Sequence, residues 1–471
     1  MKNEHWMLPA LFLLGACAGE KSGNEKEQTQ PNIIFILADD LGYGDLGSYG
    51  QTRIQTPNLD KMNQDGMRFT QHYSGSTVCA PSRCVLMTGL HTGHAKIRGN
   101  ADVPLDETDI TVATLLKNAG YKTGVIGKWG LGDSGSSGVP GKQGFDHFFG
   151  YLNQIRAHNF YPDYLWRNTT KVPLDNEVII AEEGYAKGIG QASTNKNEYS
   201  HDLFTAEALE FVETSSENPF FLYLAYTIPH ANNEHWLINE HGMEVPDYGI
   251  YENEDWPEEQ KGLAAMITRM DSDIGKLRQK LEDLGIDENT LIIFTSDNGP
   301  HAEGGNDPDF FDSNGILRGT KRDLYEGGVR VPLIAYWPEN IKAGQKSDHI
   351  SAFWDFLPTA CHIAGIDTPE NIDGISYLPE LLGQEQTPHD NLYWEFTEQG
   401  GKQAMRKDDW KLVKLDIFNP EKTRVELYNL ADDPSEQNDI AEQHPDVIEE
   451  MIHLMDEERT ESDLFPLYAS E

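Results

Sequence analysis

Cysteine is scarce in this chain, four among 471 residues, and positive charge is scarce too, with 37 lysines and arginines against 78 aspartates and glutamates. So few cysteines point to chemistry rather than a disulfide framework, and the fold must rest on buried apolar surface. The formal net charge of −41 repels phosphate backbones and anionic lipid surfaces, so nucleic acid is not an expected partner. Internal repeats and low-complexity segments are also missing. The first apolar run, Trp6 to Leu14, is too short to span a bilayer. What remains is 38% hydrophobic and 10% aromatic, enough for globular cores. The length exceeds what one ordinary core supports, so one large domain and a smaller one are expected. Such acidity sets a condition: any site for an anion must be a local cationic exception.

Lys2 followed by Trp6–Leu14 reads as the start of an export signal, and Leu14-Gly15-Ala16-Cys17 looks like a bacterial lipobox. Cleavage before Cys17 would leave a cysteine to carry lipid; a plain secretory cut near Ala16 or Ala18 is the alternative. Residues 1–17 are therefore expected to be a leader and 18–30 a polar tether. The expected location is outside the cytoplasm, anchored by lipid in the bacterial outer membrane, with no other membrane contact. Of the remaining cysteines, Cys84 and Cys361 read as buried free thiols.

From Asn32 the chain alternates apolar strands and helices. Ile33–Ala38, Lys122–Gly127, Pro219–Tyr226 and Thr290–Ser296 are runs of the kind buried on both faces of a parallel sheet. Thr111–Gly120, His201–Glu213 and Glu258–Leu284 read as helices. The pattern predicts an α/β fold, a doubly wound, mostly parallel sheet with helices on both faces, over 31–380. Past Pro379 short alternating segments at 391–396, 403–406, 410–414 and 424–428 predict a small antiparallel sheet with one helix, Pro445–Glu461, in a subdomain over 381–471.

Chemistry-bearing residues fall where these strands end. The first strand runs into Asp39-Asp40, the second into Lys128, the third into His230 and the fourth into Asp297-Asn298, where open α/β sheets bind ligands. Asp39, Asp40, Asp297 and Asn298 offer only hard oxygen, which favours calcium or magnesium over zinc. Lys128 and Lys321 are compact charges suited to sulfate or phosphate oxygens. Cys79-Ala80-Pro81-Ser82-Arg83 opens an apolar helical run closed by Thr88-Gly89; alone, it also reads as a buried cysteine at a helix start.

Together these motifs resemble the type I sulfatases of the alkaline phosphatase superfamily, whose signature is C-x-P-S-R-x-x-x-x-T-G. The resemblance runs from Asn32 to the Leu427–Glu436 segment. It implies that Cys79 is oxidised to formylglycine (3-oxoalanine) by a formylglycine-generating maturation enzyme. It further implies that Asp39, Asp40, Asp297 and Asn298 hold one Ca2+ with residue 79. Arg83 would steady the modified residue, Lys128 and Lys321 would bind sulfate, and His230 would be the acid. The implied activity is sulfuric ester hydrolysis on a sulfated carbohydrate, of galactose or N-acetylgalactosamine type. A hydrated aldehyde suits such a reaction because one hydroxyl can attack sulfur while the other later expels sulfate.

One position departs from the family. Gly130 stands in Gly127-Lys128-Trp129-Gly130 where the family usually has histidine, and His301 is the expected substitute for part of that role. Downstream, His158, Asn159, Tyr161 and Trp166 are expected to line a saccharide subsite. Two alternatives stay open: a phosphoesterase or phosphonate hydrolase on the same fold, and a lipid-anchored glycan-binding protein without catalysis.

Overall fold

The computed structural model describes Met1 and residues 30–468; Cys17 and most of the expected leader and tether lie outside the described residues. In chain order the first strands are β1 (Asn32–Ala38), β2 (Met67–Tyr73), β3 (Lys122–Lys128), β4 (His147–Tyr151), β5 (Tyr164–Arg167), β6 (Thr170–Pro173), β7 (Glu177–Ile180) and β8 (Gln191–Asn195). They are followed by β9 (Phe220–Ala225), β10 (Thr290–Ser296), β11 (Arg330–Tyr336), β12 (Gln345–Ala352), β13 (Leu392–Phe396), β14 (Lys402–Lys407), β15 (Trp410–Leu415) and β16 (Arg424–Asn429).

Ten of these strands form one sheet in the order β12-β2-β11-β10-β1-β9-β3-β4-β5-β6. Its centre, β10-β1-β9-β3-β4, is parallel throughout. The apolar run of β1 explains its central place. Ile33, Phe35 and Leu37 enter one core, and Ile34, Ile36 and Ala38 enter the other, so neither face can be left to water. Helices Cys79–Thr88, Val112–Asn118 and Phe356–Ala364 cover the first face; Pro57–Asp65, Ser200–Ser215 and Glu258–Leu284 cover the second. The doubly wound architecture stands as expected. Antiparallel flanks extend it: β11 pairs with β10 and β2, and β5 pairs with β4 and β6. Of these, β2, β4, β5, β6 and β11 escaped the sequence reading. In β2, Met67-Arg68-Phe69-Thr70 alternates, but Gln71-His72-Tyr73 breaks the period.

Strands β13 to β16 form the small antiparallel sheet in chain order. Met451 and Met455 of the Pro445–Glu457 helix pack on Met405, Leu412 and Leu427. That helix stops four residues short of the expected Glu461, because Arg459 turns in to Glu395 (3.1 Å) and the Thr460 amide bonds the Gly93 carbonyl (3.0 Å). The opposite face of this sheet, with Trp394, Ala404 and Val413, merges into the first core. Cys79, Cys84 and Cys361 are buried free thiols.

Buried ion pairs tie the two sheets together. Lys411 meets Glu326 at 2.8 Å with both side chains fully buried, and Arg98 meets Glu395 at 2.9 Å. Lys411 and then Arg330 hold the Glu326 carboxyl at about 2 against the opposing effect of burial. Replacing Lys411 with methionine strands that charge and should cost about 3–5 kcal/mol. An unchanged urea-unfolding midpoint for Lys411→Met would show that Arg330 and Tyr73 already satisfy Glu326.

Candidate active site

Because β10, β1, β9 and β3 run parallel side by side, their C-terminal ends share one edge. Ala38 sits opposite Ser296, Leu37 opposite Ala225, and Ala225 opposite Gly127. The four motifs predicted from separate strands therefore converge. One local feature completes the convergence. Neighbouring residues of an extended strand point to opposite faces, so Asp39 and Asp40 cannot meet on a straight continuation of β1. Asp40 takes a left-handed backbone, φ +64°, which aspartate tolerates better than most residues, and both carboxylates end up in one buried cluster. Asp39, Asp40, Cys79 and His230 bring ligand atoms within 4.8 Å of one another.

The Cys79–Thr88 helix enters from below this edge. Val78 is extended before it, Pro81 falls in the first turn where no amide is needed, and Gly89 at φ +71° closes it with its N–H on the Val85 carbonyl. All ten residues are buried. Cys79 Sγ lies 3.2 Å from Asp39 Oδ1 and 3.9 Å from Asp40 Oδ1. Burial, reinforced by Asp297 and Asp39, pushes this thiol well above its usual range. It is a poor thiolate.

Each carboxylate has its own cation. Lys128 Nζ is 2.7 Å from Asp39, and Lys321 Nζ is 2.8 Å from Asp40. Arg83 donates Nε and Nη2 to one Asp297 oxygen (3.1 and 2.8 Å) and Nη1 to the Lys128 carbonyl (2.7 Å). Arg83 thus grips Asp297 and the end of β3. Burial would raise both Asp39 and Asp40, but Lys128 and Lys321 respectively overcome it and hold them low. Asp297 differs. Burial, then repulsion from Asp39, pushes it up to about 7 despite Arg83. Asn298 Nδ2 donates to Asp40 (2.6 Å), while Asn298 Oδ1 is buried without a partner.

Three imidazoles stack along the mouth. His158 lies 4.8 Å from His230 at 11°, and His301 lies 5.7 Å from His230 on a 29° tilt. His230 Nδ1 donates to the Ala231 carbonyl (2.6 Å), and its Nε2 accepts from Lys321 Nζ (2.9 Å). Burial and the Lys321 ammonium push this imidazole well below its usual range. Both effects disfavour its charged form. His158 Nδ1 bonds Glu234 at 3.1 Å. His301 is buried, not a surface loop residue, and both its nitrogens are engaged: Nε2 on the Pro229 carbonyl (3.0 Å) and Nδ1 accepting from the Glu303 amide (3.1 Å). It has no free nitrogen to replace the imidazole missing at position 130.

Of the expected saccharide contacts, Asn159 is displaced as well. It is fully buried, and its amide is spent on Tyr161 and Ser193. Tyr161 packs against Tyr199 at 5.1 Å, and Trp166 lines a separate cavity with Val139, Pro140 and Phe145. Two residues at the site went unread in the sequence. Glu303 bonds Lys321 (3.2 Å) and pairs with Arg322; Lys321, against burial, holds its carboxyl low. Glu234 supports His158. The one signal for Glu303 was its place two residues after His301 in the loop leaving Asp297-Asn298; Glu234 carried none beyond nearness to His230.

Comparisons with known proteins agree with this geometry. Residues 31–366 match the family profile Sulfatase, and residues 319–461 match N-sulphoglucosamine sulphohydrolase, C-terminal. The chain is similar to an N-acetylgalactosamine-6-O-sulfatase of Bacteroides thetaiotaomicron, 30% identical over 96% of this chain and 98% of that one. It is also similar to the N-acetylgalactosamine-6-sulfatase of Rattus norvegicus, 32% identical over 81% of this chain and 70% of that one. Among solved structures, Ps i-CgsB in complex with k-i-k-neocarrahexaose superposes with a TM-score of 0.76 at 28% identity, covering 91% of this chain and 92% of that one.

Gly130 itself sits at φ +78°, and a Cβ there would come no closer than 3.5 Å, to Gln154. Space is available; the backbone is the obstacle. Gly130→Ala should therefore lower stability by about 1–2 kcal/mol through the left-handed conformation alone. A thermal-melt series with Gly130→Ala and Gly130→Asn checks this, the asparagine recovering part of the loss. Equal losses for both would point to a steric cause instead.

Proposed function

The chain belongs to the sulfatase family, and on that premise we propose how its residues remove sulfate from a sulfated carbohydrate. Residue 79 serves in oxidised form, as formylglycine, rather than as a thiol. Hydrated, that group supplies two hydroxyls on one carbon, one to attack sulfur and one whose deprotonation releases sulfate. Burial of Cys79, Pro81 and Arg83 supports modification by a maturation enzyme before the helix packs. The leader, Cys17 lipidation and outer-membrane anchoring belong to the same proposal, as do the 31–380 and 381–471 domain limits.

Asp39, Asp40, Asp297 and Asn298, with residue 79, would hold one calcium ion. The observation that supports this is the buried cluster in which Asp39, Asp40 and residue 79 bring ligand atoms within 4.8 Å of one another, with Asp297 bonded to the Asp40 amide and Asn298 Oδ1 buried without a partner: a buried acceptor without a donor requires an explanation, and an all-oxygen set suits a hard cation. When bound, calcium supplies positive charge that lowers the nucleophile's pKa and offsets charge on sulfuryl oxygens. The charge count also answers the problem set by an acidic chain. Lys128, Lys321 and Arg83 already balance Asp39, Asp40 and Asp297, so a divalent cation would leave the pocket net positive.

Lys128 would then hold a sulfate oxygen, and Lys321, its three donors engaged by Asp40, His230 and Glu303, would add positive charge beside it, where charge grows during transfer. An ammonium has three donors; Lys128 spends one on Asp39, which leaves donors for the ester. The proton for the departing sugar oxygen lies on the 2.9 Å line between Lys321 Nζ and His230 Nε2. Its transfer to the leaving group is worth about 10²–10⁴-fold. Asp40 and Glu303, 3.4 and 3.9 Å from His230 Nε2, keep that region negative enough to accept a proton back. His158, its Nδ1 held by Glu234, presents Nε2 to a sugar hydroxyl. A galactose or N-acetylgalactosamine residue is proposed as the sugar, on the names of the two similar enzymes.

Mass spectrometry of the peptide containing Cys79, from cells with the maturation machinery, should find the aldehyde. The matured enzyme should desulfate a member of a sulfated galactose and N-acetylgalactosamine panel. An unmodified thiol with no desulfation, or faster turnover of aryl phosphate than aryl sulfate, would overturn the proposal. Asn298→Leu, which removes the orphan oxygen with little change of volume, should lower bound calcium measured by elemental analysis and abolish turnover; full calcium content would refute the ligand set. Cys17→Ala should move the protein from the membrane to the soluble fraction, and persistence in membranes would refute the lipobox.

A further inference from the structure

Among the described residues three aromatic side chains are exposed, Phe418 in the small antiparallel subdomain and two in the catalytic domain. Among the described residues the exposed tyrosine is Tyr185, at 70%, and the exposed tryptophan is Trp236, at 51%. Tyr185 reaches Glu234 through its hydroxyl, and Trp236 follows Glu234 by two residues in the chain. Tyr185 sits in the loop between β7 and β8, flanked by Gly184 and Gly188 in left-handed conformations, and its hydroxyl donates to Glu234 Oε1 at 2.9 Å. Trp236 is two residues beyond Glu234, in the short turn His235–Leu237, which closes when the Leu237 amide bonds the Glu234 carbonyl at 3.0 Å. Glu234 is itself buried and holds His158, which stacks on His230.

The phenol of Tyr185 is thus tethered at its tip while its faces stay open. That is a costly arrangement for an ordinary surface residue: it fixes a side chain without burying it. It is a useful one for a ring that must offer an apolar face with a polar anchor. The Tyr185–Glu234–His158 chain leads directly from this rim to the imidazole ladder. A carbohydrate larger than one residue, bound with its ester at the strand ends, has to leave the pocket past some part of this rim.

We propose that Tyr185 and Trp236 form a second saccharide subsite, an aromatic platform that stacks on the sugar adjoining the sulfated residue. The platform makes the enzyme prefer sulfated oligosaccharides to the corresponding monosaccharide. This rests on the reading of the strand-end cluster as a carbohydrate sulfatase site.

The test compares the matured full-length enzyme with Tyr185→Ala, Trp236→Ala and Tyr185→Phe on a sulfated monosaccharide and on a disaccharide or longer chain bearing it. Each alanine variant should lower the ratio of oligosaccharide to monosaccharide kcat/KM by about two- to tenfold, the range of aromatic stacking, with the change in KM. Tyr185→Phe, which keeps the ring and loses the Glu234 bond, should retain most of the preference. Equal losses on both substrates would overturn the platform and leave Tyr185 as a brace for Glu234. Ratios unchanged from wild type would also overturn it while the sulfatase reading stands. A wild-type enzyme inactive on both sugars would refute that reading, and the platform with it.

Discussion

Three carboxylates forced together in a dry pocket are the constraint on which the site depends. Asp39, Asp40 and Asp297 are essentially inaccessible to water, where an uncompensated charge is several kcal/mol too expensive to keep. Each is met by a cation from a different part of the chain: Lys128 from the end of β3, Lys321 from the 317–330 loop, and Arg83 from the helix that also carries Cys79. Moving any one element away from the sheet would strand both a carboxylate and a cation. The cluster holds the fold around the reactive residue as much as it prepares the residue for reaction.

This accounts for the choice of a parallel sheet. Antiparallel neighbours deliver alternate ends to an edge, whereas β10, β1, β9 and β3 deliver four C-terminal ends to one line. Strands about 4.8 Å apart then place side chains from distant sequence within contact of one another. The left-handed turn at Asp40 completes the arrangement by bringing the carboxylates of two consecutive residues into one buried cluster.

Around that rigid centre the histidines form a softer layer. His230 is fixed by backbone and Lys321, and His301 is locked by Pro229 and Glu303. His158 alone among them has a nitrogen that faces neither backbone nor another fixed group. Moving outward, the fold passes from charge balance, to stacked imidazoles, to the exposed aromatics at Tyr185 and Trp236.

Much of this was legible in the chain. The apolar runs of β1, β9 and β10 were bounded almost to the residue, because strands buried on both faces need uninterrupted hydrophobicity. The Glu258–Leu284 helix was bounded by its proline and glycine. Asp39, Asp40, Lys128, His230 and Asp297 were legible because strand-end position and side-chain chemistry are both local properties, Lys321 through the glycine-rich stretch around it, and Cys79 through its likeness to a family signature. The flanking strands β2 and β12, partly exposed and irregular in period, were not, nor was β11, which is buried but interrupted by Pro332.

What the sequence determined by itself was the inventory: a parallel α/β core, an oxygen-rich cation set, a cysteine in a recognisable maturation motif, and the absence of an imidazole at Gly130. Tertiary structure decided the partners. It gave Arg83 to Asp297, tied His301 and Asn159 into the backbone, left Asn298 Oδ1 without a donor, and brought Glu234 and Glu303 into the site. The physical reason is that a side chain's capacity to donate, accept or carry charge is written in its own chemistry. Whether that capacity is free for a substrate depends on which distant groups have already used it, and only the folded chain brings those groups within 3 Å.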